Sequence, residues 1–360
     1  MKTPVIAIDA HLVGSKNTGD TSYWRGLICG LSTLKNKCEI HLFSDEHSNP
    51  ELSFLGHFQW HRVTAPNPRL WSLHAFPQAA KEIGASVLHT QYNISPFTKI
   101  KAITTIHDVS FLVEPNWYKL KDRILLTRQI PRSVKRAKRI LTVSETSKRE
   151  IEHFIPAAQG KTIVTYNALR TDFPIYTRQE AIDYLKALHK ISADFPYILA
   201  PTSSWARKNS DLSAYAHRFS DLKNTHTLVT FGPGDPLTPE SLHLGYVSDD
   251  AIPALYAAAD YFILPSLHEG FGIPILEAFA SGTPVICGTG GAIPEIAGDA
   301  AIICPDYLPT TWANALNHLH DDSGKLEAMI KRGKSRVHDF SWTKTAELTM
   351  QAYEEVANGE

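Results

Sequence analysis

Cysteine is scarce in this chain of 360 residues: only Cys29, Cys38, Cys287 and Cys304 occur, with no C-x-x-C and no tight Cys/His spacing. This excludes a disulfide scaffold and a zinc site and fits reduced thiols. An excess of either charge is also lacking, with 36 Lys and Arg against 37 Asp and Glu. Nothing global therefore points to nucleic acid, and none is expected as a partner. No run approaches ~18 consecutive apolar residues. The opening MKTPVIAIDA has too short an apolar stretch for a secretory leader, with Asp9 inside it. The expectation is a cytoplasmic protein that does not span a membrane. Low-complexity segments, solenoid repeats and a G-x-G-x-x-G fingerprint are absent as well.

What the chain has is alternation. The length suits two domains of roughly 150–180 residues. PVIAID, CEIHLFS, SVLHTQ, AITTIHDV and RILTVS read as short strands separated by helical or loop stretches. A seam follows between about Thr171 and Ser192, where a proline appears and the strand signal stops. The alternation then restarts with YILAPT, HTLVTFG, LHLGYV, YFILPS, PVICG and AAIIC. Strand–helix alternation of this kind implies parallel sheets covered on both faces. The expected fold is α/β, with two Rossmann-like doubly wound domains facing a cleft and ligands beyond the carboxyl ends of the strands.

The richest stretch is HEGFGIPILEAFASGTP, residues 268–284. The apolar run 261–266 predicts a buried strand. Pro274 favours a helix start near Ile273, and Gly282 with Pro284 predicts its end. Glu269 then falls on the strand-to-helix loop and Glu277 in the first turn or just past it. A glycine-rich loop running into a helix N-terminus suits a diphosphate, and carboxylates beside it can accept from vicinal sugar hydroxyls. The alternative is a dipole-favoured helix glutamate with a solvated loop glutamate, and spacing alone does not separate the two.

The chain resembles the family 4 retaining glycosyltransferases, also called group 1, which have the GT-B fold. Their E-x7-E signature is matched by Glu269 and Glu277 in LPSLHEGFGIPILEAFASGTPVI. LGYVSDDAIPALYAAADYFILPS, GAIPEIAGDAAIICP, TTIHDVSF, ILTVSETSKREI and FSWTKTAELTMQAYEE are similar too, so the likeness covers nearly the whole chain. It implies an acceptor-binding domain over 1–175 and a nucleotide-sugar-binding domain over 176–340, with a helix over 341–360 returning to the first. It also implies that Glu269 meets the donor hexose and Glu277 the ribose, with Val247, Gly270, Phe271, Gly272 and Ile273 lining the nucleotide site.

Other residues fit the same picture. Arg207 and Lys208, on the loop after a strand end, can neutralise a diphosphate leaving group. Such a pair is more often a solvated surface feature, but the resemblance assigns it to phosphate. Relatives usually carry glycine after this strand, where this chain has Pro201-Thr202-Ser203. Gly14 and Gly19 flank SKNT ahead of a helix and read equally as a flexible surface loop or a close approach to a ligand. The resemblance favours the diphosphate and acceptor. His107, at a strand end, can bond a sugar hydroxyl and would line the acceptor side. Asp108 is assigned no base role, because same-face substitution in this class lets the leaving phosphate take the acceptor proton.

Asp249-Asp250 and Asp321-Asp322 read as caps and solvated turns. No metal or cofactor is expected, since the helix dipole and the Arg207/Lys208 pair supply positive charge. Residues 119–139 are expected to form an amphipathic helix, with Leu120, Ile124, Thr127, Val134 and Ala137 on one side and Lys121, Arg128, Arg132, Lys135 and Arg139 on another. Pro131 would kink or split it. A solvated basic helix and peripheral contact with anionic lipid at the inner membrane face both fit.

The expected activity is retaining transfer of a hexose from a nucleotide diphosphate sugar to a glycan or lipid-linked hydroxyl in polysaccharide assembly. The wording of IHDVSFL and SETSKREI leans towards GDP-mannose over UDP-glucose. The alternatives are a nucleotide-sugar epimerase or phosphorylase, and a catalytically degenerate sugar-nucleotide-binding protein, which Pro201 would suit.

Overall fold

The computed structural model describes residues 3–13, 19–35, 37–45, 58–188 and 194–359. The chain forms two compact units, residues 1–167 with 341–360 and residues 168–340. The division falls after Asn167, ahead of the stretch 171–192 where proline and the loss of strand signal suggested a seam. Arg170 explains the offset, because its side chain is ion-paired within the second unit.

The first unit holds a seven-stranded sheet in the order β3-β2-β1-β4-β5-β6-β7. The strands are β1 Val5–Asp9, β2 Glu39–Ser44, β3 Gln59–Arg62, β4 Val87–Gln91, β5 Lys101–Thr105, β6 Arg139–Thr142 and β7 Thr162–Val164. Every pairing is parallel. β1 is buried throughout, as a parallel strand covered on both faces must be.

The C-terminal helix, Trp342–Asn358, packs along the helix Gly19–Ser32 and reaches β4, β5 and β6. Gly26 and Gly30 make this possible, since a Cβ at either would overlap Trp342. The Tyr353 hydroxyl lies 2.6 Å from Nδ1 of buried His89, whose Nε2 is 2.8 Å from the Thr105 hydroxyl. Burial lowers the pKa of His89 to about 3. Lys101 Nζ donates to the last-turn carbonyls of Val356 and Ala357, and Arg139 Nε pairs with Glu355 at 3.1 Å.

The basic segment is one continuous helix, Leu120–Arg136, running through Pro131 without dividing. Its apolar residues do not share one buried face as expected. Ile130 and Val134 are buried in the core, whereas Leu120, Ile124 and Leu125 stand exposed among the cations of the first turns. Ala137 follows the helix as its C-cap.

The second unit holds a six-stranded parallel sheet in the order β10-β9-β8-β11-β12-β13. Its strands are β8 Tyr197–Pro201, β9 Thr227–Phe231, β10 Leu242–His243, β11 Tyr261–Leu264, β12 Val285–Cys287 and β13 Ile302–Ile303. The chain crosses from β10 at one edge back to β11 beside β8, so β8 and β11 flank the switch point, where open α/β sheets bind ligands. No helix among the described residues is long and apolar enough to cross a membrane.

Candidate active site

The stretch 268–284 folds at the carboxyl end of β11. Gly272 takes φ +111° to turn the loop into the helix Ile273–Ser281, a conformation that strains any L side chain. Gly272 has no side chain with which to cap that helix, and Pro274 lies in its first turn. Gly282, at φ +76°, closes it in the left-handed form expected there.

Glu269 is buried on the loop. Its Oε1 accepts from Lys208 Nζ at 2.7 Å and from Ser266 Oγ at 2.7 Å. Arg207 Nη1 stands 3.7 Å from Oε2 and donates to the His268 carbonyl at 3.0 Å. Burial alone would raise the pKa of this carboxyl, but Lys208 and Arg207 outweigh it and hold the group below its usual range. The loop is tied at both ends. Leu267 N–H donates to the Arg207 carbonyl, and Ala292 N–H to the Glu269 carbonyl. Gly290 and Gly291 permit the second tie, since a Cβ on either would overlap the backbone of Leu267 or Glu269. Three segments thus fix one carboxylate against two cations.

Glu277 is the fifth residue of its helix, just past the first turn, and its environment is the reverse. Arg170 Nε lies 2.8 Å from its Oε1 with both side chains buried, and Arg170 Nη1 lies 3.4 Å from Asp249. Asp249 lies in a turn, as expected, and its partly exposed carboxylate also pairs with Arg170. Asp250 accepts from the Tyr184 hydroxyl at 2.9 Å, and Asp322 caps a helix by accepting from Lys325 N–H. Burial raises the pKa of Glu277 from its ordinary value despite Arg170. Tyr256, on the helix Ile252–Ala258, is pushed well above the usual phenol range by burial and by this carboxylate. The carboxyls of two glutamates eight positions apart thus shift in opposite directions, cations prevailing at Glu269 and burial at Glu277.

The remaining expected residues divide. Gly270 and Val247 are buried in the same unit. Phe271 buries its ring edge-on against Phe340, 5.4 Å between centroids, which makes that side chain a packing residue. Ile273 is half-buried at the helix start.

His107 and Gly19 belong to the first unit. His107 follows β5, with Nε2 3.5 Å from Asp20 and its ring edge-on to Tyr23 at 4.9 Å. Burial lowers its pKa against the opposing pull of Asp20 and Asp108. Asp108 accepts from the Ser110 N–H and hydroxyl, the work of a turn residue. Gly19 opens its helix, and among the described residues no atom beyond its chain neighbours and its own helix backbone lies within 4 Å of where a Cβ would stand. Gly14 lies outside the described residues. Among the described residues no three His, Cys, Asp or Glu side chains are grouped to hold a metal ion.

Sequence reading missed Ser266, Asp20, Tyr256 and Arg170. Only Ser266, three residues before Glu269, lay within reach of the motif.

Comparison with known proteins agrees with this architecture. Residues 23–173 match the model described as Glycosyltransferase Family 4, and residues 237–336 match the one described as Glycosyl transferases group 1. The O-antigen chain mannosyltransferase B of Escherichia coli is 31% identical over 311 residues, 81% of this chain and 78% of that one. The MMP alpha-(1->4)-mannosyltransferase of Mycolicibacterium hassiacum is 37% identical over 113 residues, 30% of this chain and 27% of that one. Among solved structures, sucrose-phosphate synthase from Thermosynechococcus elongatus superposes with a TM-score of 0.78 at 18% identity, covering 100% of both chains. With its two parallel-sheet units and this extent of similarity, the chain belongs to the group 1, family 4 glycosyltransferases.

Proposed function

We propose that the protein transfers a hexose, mannose in preference, from a nucleotide diphosphate sugar to a hydroxyl of a glycan or lipid-linked acceptor, with retention at the anomeric carbon. The observation that carries this reading is the Glu269–Lys208–Arg207 cluster beside a glycine-led helix start. The two cations meet the donor diphosphate, Glu269 orients the hexose through its hydroxyls, and Glu277 accepts from the ribose. His107 is assigned a sugar hydroxyl on the family resemblance alone. In the transfer the bond from the anomeric carbon to the phosphate oxygen breaks. The acceptor oxygen bonds to the same face, and its proton passes to the departing phosphate oxygen. Negative charge grows on that oxygen, where fixed cations in a dry site count most.

The mannosyltransferase relatives support mannose as the sugar, and GDP as its carrier is proposed on the wording of IHDVSFL and SETSKREI. A panel of nucleotide sugars tested by thermal shift and turnover is expected to stabilise wild type most with GDP-mannose, and Glu277→Ala is expected to lose that stabilisation. Excess EDTA is expected to leave the rate unchanged, because Arg207 and Lys208 supply the positive charge. Equal binding of the panel by Glu277→Ala would overturn the site assignment, and a rate lost in EDTA would overturn the metal-free reading.

We further propose that the helix Leu120–Arg136 meets an anionic membrane surface. Leu120 is 70% exposed and Ile124 and Leu125 are 43% and 44% exposed, among Lys121, Arg123 and Arg128. Apolar side chains beside cations suit the headgroup boundary, at roughly 1 kcal/mol per charge near the surface. Flotation with phosphatidylglycerol vesicles at low salt is expected to carry the protein upward. Leu120→Asp with Ile124→Asp is expected to keep it in the soluble fraction. Wild type that does not float would sink the idea.

A further inference from the structure

We propose that Arg170 is a positioning residue for donor recognition: it holds the Glu277 carboxylate in a fixed orientation for the ribose hydroxyls of the nucleotide. The inference rests on the reading that Glu277 meets the ribose. Arg170 itself is assigned no contact with the reacting atoms.

The geometry argues for a dedicated device. The side chains of Arg170 and Glu277 are only 9% and 10% exposed, with Nε 2.8 Å from Oε1. The same guanidinium reaches Asp249 through Nη1 at 3.4 Å, and its Cζ lies 5.4 Å from the centre of the Phe173 ring. Neither Nε nor Nη2 makes an aligned hydrogen bond among the described residues, so the Nε–Oε1 approach is a contact of charges. One cation therefore serves two carboxylates, Glu277 on its buried side and the partly exposed Asp249 on the other, with Tyr256 the remaining titratable group against Glu277. As a stabilising element this is poor, since desolvating such charges usually offsets their attraction and apolar residues would do as well. What it does is oppose the burial that favours a neutral Glu277, and set that carboxylate against a guanidinium itself placed by Asp249 and Phe173. The guanidinium meets both carboxylates at once, Glu277 through Nε and Asp249 through Nη1, which the single ammonium of a lysine would not.

The pH consequence has a definite sign. Burial raises the pKa of Glu277, and Arg170 opposes it more than any other group; Asp249 raises it, and the Tyr256 hydroxyl lowers it. Loss of Arg170 moves protonation of Glu277 to higher pH. A recognition step that needs the carboxylate then fails, as pH falls, earlier than in wild type.

The test compares GDP with 2′-deoxy-GDP, and UDP with 2′-deoxy-UDP, by calorimetry over about pH 5 to 8. The proteins are wild type, Arg170→Met, Arg170→Lys and Glu277→Gln, each checked for folding by thermal denaturation. Wild type is expected to prefer the ribonucleotide by roughly tenfold or more, as for a hydrogen bond to a charged group. Glu277→Gln and Arg170→Met should both lose most of that preference, and Arg170→Lys should keep part of it. In Arg170→Lys the acid limb should lie above that of wild type, and in Arg170→Met higher still. Should Arg170→Met not fold, Arg170→Lys carries the comparison. If only Glu277→Gln loses the preference, the ribose reading stands and the role of Arg170 is refuted. If Glu277→Gln keeps it, the ribose reading itself has failed and this inference falls with it.

Discussion

Lys208→Met is expected to lower kcat by roughly 10²–10³-fold, the loss seen when one fixed donor to a developing anion is removed. Lys208 is tied to Glu269 at 2.7 Å, so the substitution removes a charge for the leaving diphosphate and also frees the carboxylate that orients the hexose. Arg207, 3.7 Å away, would be the one of the two cations left beside it, with the Ser266 hydroxyl still donating. The Glu269 carboxyl is held below its usual pKa, so its charge persists into acid in wild type. Without Lys208 that pKa climbs, and the acid limb of kcat should move to higher pH. The fold should survive, since Lys208 is 27% exposed and solvent can compensate part of the loss. Single-turnover rates with GDP-mannose across pH, together with a melting curve, check this. A folded Lys208→Met protein with wild-type turnover would refute the assignment.

Ending the chain at Phe340 is expected to unfold the first unit. The removed helix contributes Trp342, Met350, Tyr353 and Val356, all buried, and fills the groove opened by Gly26 and Gly30. At roughly 1.5–3 kcal/mol for each large side chain returned to water, the loss is on the order of 6–12 kcal/mol. That is comparable with the whole stability of a typical domain, about 5–15 kcal/mol. His89, Lys101 and Arg139 would lose partners as well. Limited proteolysis should degrade residues 1–167 and spare a fragment close to 168–340. A truncated chain as resistant over 1–167 as the full one would contradict this.

Much of the fold was legible because its signals are local. Parallel strands covered on both faces are continuous apolar runs, and VIAID and YFIL announce themselves. The edge strands β3 and β7 escaped notice because QWHR and TIV are short and only partly buried, so neither carries a run or a clear alternation. The helix carrying Glu277 was readable from Pro274 and Gly282, residues whose backbone preferences mark its ends.

The site was legible only where it is contiguous. Glu269, Glu277 and the Arg207/Lys208 pair follow from motif and position. The opposite shifts of the two glutamates do not, because they depend on side chains from separate segments. Arg170 is far from Glu277 along the chain and stands in a stretch without periodicity. The helix Leu120–Arg136 shows the converse, since its spacing suggested a buried apolar face that the fold does not use at Leu120 and Ile124.

The return of Ser341–Glu360 to the first unit has a consequence for biosynthesis. A ribosome delivers residues 1–167 long before the helix that completes their packing. Throughout translation of 168–340, the apolar surface around Trp24 and Leu27 lacks the helix that will cover it. The second unit, made later but contiguous in sequence, can finish folding first. The half of the protein that is synthesised first is therefore completed last, once the helix Trp342–Asn358 has followed the second unit out of the exit tunnel.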